Sequence, residues 1–281
     1  MMKVTRIHAA ARRDVDTLET YQALPLPQYD ADPFILLNHH GPQDFAPNNS
    51  GLPFGPHPHR GFETLTFILE GELTHRDSTG GEHRSLSGGV QWMTAGKGIV
   101  HAEESSDVFK EQGGRINILQ LWMNLPAKLK GLDPAYYAID KADLPVVSKG
   151  EGHANVHLIS GEFAGTSGPV DSPTQLFTAW ANFEGGDELT IDVPKGRTFF
   201  VYVVSGRLAV NGETIETHDI PEFEGDGGEV TFKAEHKSTV ILCHGEPINE
   251  PMASYGPFVM NTQEEIHQAI MDYQSGKMGV L

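Results

Sequence analysis

The 281-residue chain has one cysteine, Cys243, which excludes an intrachain disulfide framework and any zinc cluster held by several thiolates, and fits a reducing compartment. Basic residues are also scarce. Twenty Lys and Arg stand against 38 Asp and Glu, a net charge of −18. A surface of that sign repels phosphate backbones, because nucleic-acid affinity comes from Lys and Arg displacing condensed counterions, so direct nucleic-acid binding is not expected. No stretch approaches the roughly 18 consecutive apolar residues of a membrane span, and the N-terminal MMKVTRIHAAARRDVDTLET lacks the apolar run of a signal peptide. A cytoplasmic protein that does not cross a membrane is expected. The common catalytic signatures are missing too: there is no G-x-G-x-x-G in a strand-to-helix context, no H-E-x-x-H and no G-x-S-x-G. Gly96-Lys97 lacks the flanking residues of a phosphate-binding loop.

What is present describes a globular β protein. The 38% hydrophobic and 21% charged fractions suffice for a core, and the length suggests about two domains of roughly 150 residues. The 31 Gly and 18 Pro imply many tight turns between short elements. TLTFIL (Thr64 to Leu69) reads as a strand ending at Glu70-Gly71-Glu72, and TFFVYVV (Thr198 to Val204) as a strand ending at Ser205-Gly206. LTFILEGEL (Leu65 to Leu73) superposes without a gap on FVYVVSGRL (Phe200 to Leu208), which points to an internal duplication. QLWMNLP (Gln120 to Pro126) is a further strand with a proline stop, and KLKGLDPAYY after it reads as a linker. The boundary is placed at Asp140, giving domains 1–140 and 141–281. One helix is expected near the C-terminus: Thr262-x-x-Glu265 is a capping box, and Ile266, Ala269, Ile270 and Tyr273 form an apolar stripe before Gly276.

Fourteen histidines are many for an acidic chain, and three are arranged to act together. In His57-Pro58-His59 the alternation of an extended chain points both imidazoles one way, and His101-Ala102-Glu103 places an imidazole and a carboxylate on one face of a second segment. An isolated His-x-His is as often a solvated or satisfied polar pair. If the two segments pair, however, four ligands meet. Three neutral nitrogens and a carboxylate suit one divalent metal ion, Fe above all, with Mn, Ni, Cu or Zn also compatible. An octahedral ion would keep two positions open for substrate and dioxygen, the mark of a catalytic rather than a structural site.

Gly51, His57, His59, Glu63 and Gly71 form one spaced block, and Gly96, Gly98 and His101 a second. Their spacing closely resembles the two metal motifs of the cupin superfamily. The first block is one residue longer than usual, and Gly96 replaces a customary proline. Both departures match the pirin branch, whose diagnostic strings resemble HPHRGFET (His57 to Thr64) and QWMTAGKGIVHAE (Gln91 to Glu103). Likeness extends to DPFILLNHHGP, QLWMNLPAK and GEPINEPMASYGPFVMNTQEEI, so it spans nearly the whole chain.

The resemblance implies an all-β protein of two tandem cupin barrels, double-stranded β-helices of jelly-roll type, with a short C-terminal helix. It also implies an iron-type site in the first barrel and, as in bacterial members, quercetin 2,3-dioxygenase activity on a flavonol and dioxygen. Family ligands carry over to His57, His59, His101 and Glu103, and Glu103 is the candidate base for the substrate hydroxyl. The competing expectation is a non-enzymatic iron-containing redox sensor, since eukaryotic pirins are thought to act on transcription regulators. A regulatory protein partner belongs to that alternative.

Glu63 stands where ordinary cupins supply their carboxylate ligand. Parity favours Glu103, two residues from His101, and leaves Glu63 to accept the N–H of a ligand imidazole. The second repeat places Asp192, Pro194 and Thr198 where His57, His59 and Glu63 stand, so that barrel is expected to be metal-free and structural. Cys243 and His244 read as a buried core pair, Phe54, Phe62 and Trp92 as core more than pocket, and His39-His40 as part of a loop in preference to hydrogen-bond donors at the pocket.

Overall fold

The computed structural model describes residues 2–148 and 150–281. Its chain forms two compact units, each built from more than one segment. One comprises residues 12–21, 34–142 and 248–281; the other takes up the N-terminal residues to 11, with 22–33 and 143–247. The chain thus passes between units at Ala142–Asp143, and each terminal segment joins the unit built mainly by the other half. Strand pairing explains the N-terminal assignment, since Lys3–Ala9 lies antiparallel to Asp219–Glu224. Burial explains the C-terminal one, since Ile266 and Ala269 of the last helix cluster with Val100 and Phe258.

The unit bearing the histidines has nine strands in its 34–142 segment: β1 (Phe34–Phe45), β2 (Phe54–His59), β3 (Phe62–Glu70), β4 (Glu72–Asp77), β5 (Glu82–Leu86), β6 (Val90–Thr94), β7 (Ile99–Glu104), β8 (Gly114–Asn124) and β9 (Ala135–Ile139). Antiparallel pairs join β1 to β8, β2 to β7, β3 to β6 and β4 to β5. That nested pairing of first with last is the jelly roll. One sheet runs β2-β7-β4-β5, and the segment's other five strands lie in the order β9-β6-β3-β8-β1 within a seven-stranded sheet. β3 is central in its sheet, and Phe62–Ile68 is buried without a break, so this strand shows no polar alternation.

The other unit repeats the two-sheet plan. Asn155–Ser160, Phe177–Phe183, Ser238–Gly245 and Thr198–Ser205 are neighbours in one sheet; Glu188–Val193, Gly228–Ala234, Arg207–Val210 and Glu213–Glu216 form the other. Its interior is closed by Phe177, Phe183, Phe199, Phe232 and aliphatic neighbours. The expected duplication is visible at the turn glycines. Gly71 and Gly206 have φ of +90° and +94°, and a Cβ on either would lie 2.5 Å from a backbone carbonyl oxygen, of Arg115 and Lys237 respectively. Only glycine fits either turn. Thr198, the counterpart of Glu63, donates its hydroxyl to the Asp32 carbonyl at 2.6 Å. Cys243 is buried, and His244 stacks on Phe177 with centroids 4.7 Å apart.

Three local expectations are corrected. Ala135–Ile139, part of it placed in a linker, is strand β9 on the edge of β6, because the AYYAI run adds a row of ladder bonds there. His39 and His40 lie not in a loop but in the buried middle of β1. Their imidazoles are satisfied, His40 Nδ1 by the Thr20 hydroxyl at 2.8 Å and His39 Nε2 by Asn117 Oδ1 at 2.8 Å. The C-terminal helix, Gln263–Gln274, has its capping box as expected, but Tyr273 is exposed and Asp272 is buried in its stead. Asp272 is held by Arg60 at 2.9 Å and Lys277 at 2.8 Å, bonds that compensate its burial.

Candidate metal centre

β2 and β7 place His57 opposite His101 and His59 opposite Ile99. Alternate residues of a strand share a face, so His57 and His59 turn together; their ring centroids are 4.8 Å apart and lie 4.3 and 4.8 Å from that of His101. One ring nitrogen from each falls within 4.8 Å of the others.

The outer hydrogen bonds set which nitrogen points inward. His57 Nδ1 is 2.8 Å from the Gly55 carbonyl, and His59 Nδ1 is 3.4 Å from that of Pro257. A carbonyl only accepts, so both rings donate from Nδ1 and present the Nε2 lone pair to the cluster. His59 Nε2 is buried without a hydrogen-bond partner, while His57 Nε2 and His101 Nε2 are 2.9 Å apart. Two nitrogens each about 2.1 Å from one ion and at right angles are separated by about 3.0 Å. Burial, then the neighbouring His57, pushes the His59 pKa down to about 3. Burial followed by the surrounding imidazoles takes His101 well below the usual histidine value. Neutral, convergent imidazoles are the form that ligates, and the donor set fits a divalent cation.

Beside the cluster is a cavity of about 240 Å³. Its apolar wall includes Phe54, Leu73, Ile118 and Trp122; Glu103 and Gln120 supply polar groups. Phe54 therefore lines the pocket, whereas Phe62 and Trp92 are core. Glu103 is buried, and its carboxylate accepts from Gln120 Nε2 at 2.9 and 2.7 Å and from the Thr66 hydroxyl at 3.2 Å. An extra residue of β2 is accommodated between His101 and Glu103, so that Glu103 pairs with Phe54. The carboxylate lies outside the group of mutually close nitrogens.

Glu63 does not accept a ligand imidazole N–H. One of its oxygens takes the Trp92 indole N–H at 3.0 Å and the Thr94 hydroxyl at 2.6 Å. Its register explains this, since on β3 it stands opposite Thr94 of β6 and Met123 of β8 rather than facing β2. Burial outweighs both bonds and pushes its pKa up to about 7.

Two residues absent from the expected site stand behind it. His75 and Asp77 on β4 pair across to Glu103 and His101 of β7. His75 Nδ1 is 3.5 Å from His101 Nδ1, and its Nε2 is 2.9 Å from Asp77 Oδ2. His75-x-Asp77 on one strand face repeats the alternation of His57-x-His59, and that parity was the available signal.

Comparison with known proteins bears on the same residues. Residues 16–123 match the pirin family model, and residues 179–279 match that of the pirin C-terminal cupin domain. A Pseudomonas aeruginosa protein named "putative quercetin 2,3-dioxygenase" is 37% identical over 99% of this chain and 98% of its own. Human pirin is 37% identical over 88% of this chain and 83% of its own. The crystal structure of a quercetin 2,3-dioxygenase from Acinetobacter baumannii superposes with a TM-score of 0.92 at 36% identity, covering 99% of both chains.

Proposed function

The chain belongs to the pirin family, and from that premise we propose that it is a metal-dependent dioxygenase that opens the central ring of a quercetin-type flavonol with release of carbon monoxide. The observation that carries this reading is the position of three inward-facing imidazole nitrogens beside a cavity whose polar groups include Glu103 and Gln120. His57, His59 and His101 would hold one divalent ion, with Glu103 as the adjacent carboxylate; an imidazole-rich set accepts Fe, Ni, Cu or Zn, and iron is the reading that the family resemblance implies. Such an ion supplies Lewis acidity toward the flavonol oxygen and a route for electrons from the substrate to dioxygen.

The chain's own groups do the rest. Glu103, an acceptor from Gln120 and Thr66, takes the proton of the flavonol 3-hydroxyl. Phe54, Leu73, Ile118 and Trp122 give the planar substrate an apolar bed and keep water from the reacting carbons. His40 also borders the cavity, with its Nδ1 engaged by Thr20. Both atoms of dioxygen end in the ring-opened ester, and one ring carbon leaves as carbon monoxide.

The test is aerobic turnover of quercetin by protein loaded separately with Fe, Mn, Ni, Cu and Zn, following absorbance loss and carbon monoxide release. Metal-dependent release that is lost in His57→Ala is expected. A fully loaded site without turnover would overturn the enzymatic reading and favour the redox-sensing alternative. No helix among the described residues is long and apolar enough to cross a membrane.

A further inference from the structure

We propose that Asp77 and His75 are positioning residues for His101: the chain Asp77–His75–His101 decides which nitrogen of His101 carries the proton, and thereby turns its Nε2 lone pair to the metal. This inference rests on the reading of His57, His59 and His101 as ligands.

The hydrogen-bond directions follow one another. Asp77 Oδ1 accepts the backbone N–H of Thr79 at 2.7 Å, the Thr79 hydroxyl at 2.5 Å and the Gly81 N–H at 3.4 Å. Asp77 Oδ2 is left facing His75 Nε2 at 2.9 Å. A carboxylate can only accept, so His75 carries its proton on Nε2 and its Nδ1 is a lone pair. That lone pair faces His101 Nδ1 at 3.5 Å. His101 must then donate from Nδ1, which leaves Nε2 free, 2.9 Å from His57 Nε2. Tyr136 stacks on the His75 ring, centroids 3.8 Å apart and planes within 9°, and fixes its plane. His75 and Asp77 are 1% and 2% exposed, so water does not substitute for either partner.

The three ligands therefore differ in what supports them. His57 and His59 are oriented by backbone carbonyls, which no side-chain substitution removes. His101 alone depends on side chains. Groups that orient a ligand from behind are commonly worth 10- to 100-fold in metal affinity, to order of magnitude.

Asp77→Asn separates this role from simple packing. The backbone N–H groups of Thr79 and Gly81 require an acceptor, so the amide oxygen stays on their side and the NH2 falls opposite His75. His75 Nε2 must then accept, its proton moves to Nδ1, and His101 is forced to accept there and carry its own proton on Nε2, where the ion would bind. The experiment measures Zn(II) and Ni(II) affinity against a competing chelator and reads the His75 and His101 tautomers from nitrogen-15 spectra of the metal-free protein. Wild type is expected to show His101 protonated on Nδ1. Asp77→Asn is expected to show Nε2 protonation and an affinity loss of roughly 10- to 100-fold. Thr79→Val, which removes another donor to the same carboxylate, should leave tautomer and affinity as in wild type.

A folded Asp77→Asn with His101 still protonated on Nδ1 and unchanged affinity would overturn the inference. Should that variant not fold, the same readouts on His75→Phe, which keeps the stack on Tyr136 and removes the acceptor, decide it: unchanged affinity refutes. His101→Ala separates the two readings. If it loses metal while Asp77→Asn does not, only the positioning role fails; if it binds like wild type, the ligand assignment fails and the inference with it.

Discussion

Gln120 presents one side-chain nitrogen to both carboxylate oxygens of Glu103, at 2.9 and 2.7 Å, while its own amide oxygen accepts the Trp122 indole N–H at 3.0 Å. An indole nitrogen only donates, so Trp122 fixes the amide with its NH2 toward the carboxylate. Trp122 is itself set by aromatic contact with Phe62 and His59, at 4.4 and 5.0 Å between centroids. The orientation of the proposed base thus depends on a side-chain relay along one face of β8.

Gln120→Leu keeps the bulk of that side chain and removes both bonds to Glu103. With only Thr66 left as a donor, the carboxylate loses its orientation. A positioned general base contributes roughly 10²- to 10⁴-fold, so a fall in kcat of about 10- to 100-fold is expected with bound metal unchanged. Parallel kcat and metal-content measurements check this; loss of metal in step with rate would assign Gln120 to the binding site.

Metal removal should lower thermal stability. A ligand that binds only the folded state stabilises it by about 2.7 kcal/mol at 100 times its Kd. Chelation of loaded protein is therefore expected to lower Tm by several degrees, with no further drop for His59→Ala. Calorimetry of both proteins with and without chelator makes the comparison. An equal drop in the variant would mean that His59 Nε2, buried and unpartnered, takes no part in holding the ion.

The clustering of three histidines was legible because parity along a strand acts over two residues, and His57, His59 and His101 sit on strands of the expected type. The jelly roll was legible through resemblance and through the strand–glycine–strand repeat at Gly71 and Gly206. His39, His40 and Lys130 were not, because their burial depends on partners distant in sequence. His40 is satisfied by Thr20, and Lys130 by Gly61, Asn124 and Val259. Asp272 displaced Tyr273 from the helix face for the same reason: Arg60 reaches it across 212 positions. A local apolar pattern carries no trace of such a pair.

Glu63 should make stability fall with pH. Burial raises its folded pKa from 4.5 to about 7, so between those values the unfolded carboxylate is ionised while the folded one keeps its proton. The folded state then binds more protons, and its stabilisation, complete below about pH 4.5, is lost as pH rises through 7. A shift of this size corresponds to roughly 3 kcal/mol. Urea unfolding at pH 5 and pH 8 should show a smaller pH difference for Glu63→Gln than for wild type. An identical difference would mean that Glu63 is ionised in the fold.

Lys130 offers the last comparison, because its ammonium is buried with three acceptors and no carboxylate among them. It donates to the Gly61 carbonyl at 2.7 Å, Asn124 Oδ1 at 2.6 Å and the Val259 carbonyl at 3.1 Å. Burial outweighs the nearby Glu250 and Glu265 charges and brings its pKa down to about 8, so at pH 7 it remains mostly charged. Lys130→Met removes the cost of burying that charge but strips three acceptors of a donor, each worth about 1–3 kcal/mol when left unsatisfied. The acceptors prevail, and a net loss of about 2 kcal/mol is expected in urea unfolding at pH 7. Lys130→Arg should not rescue it, since a planar guanidinium cannot address three acceptors grouped around one nitrogen. A Met variant as stable as wild type would show that the three bonds do no more than offset the desolvation of the ammonium.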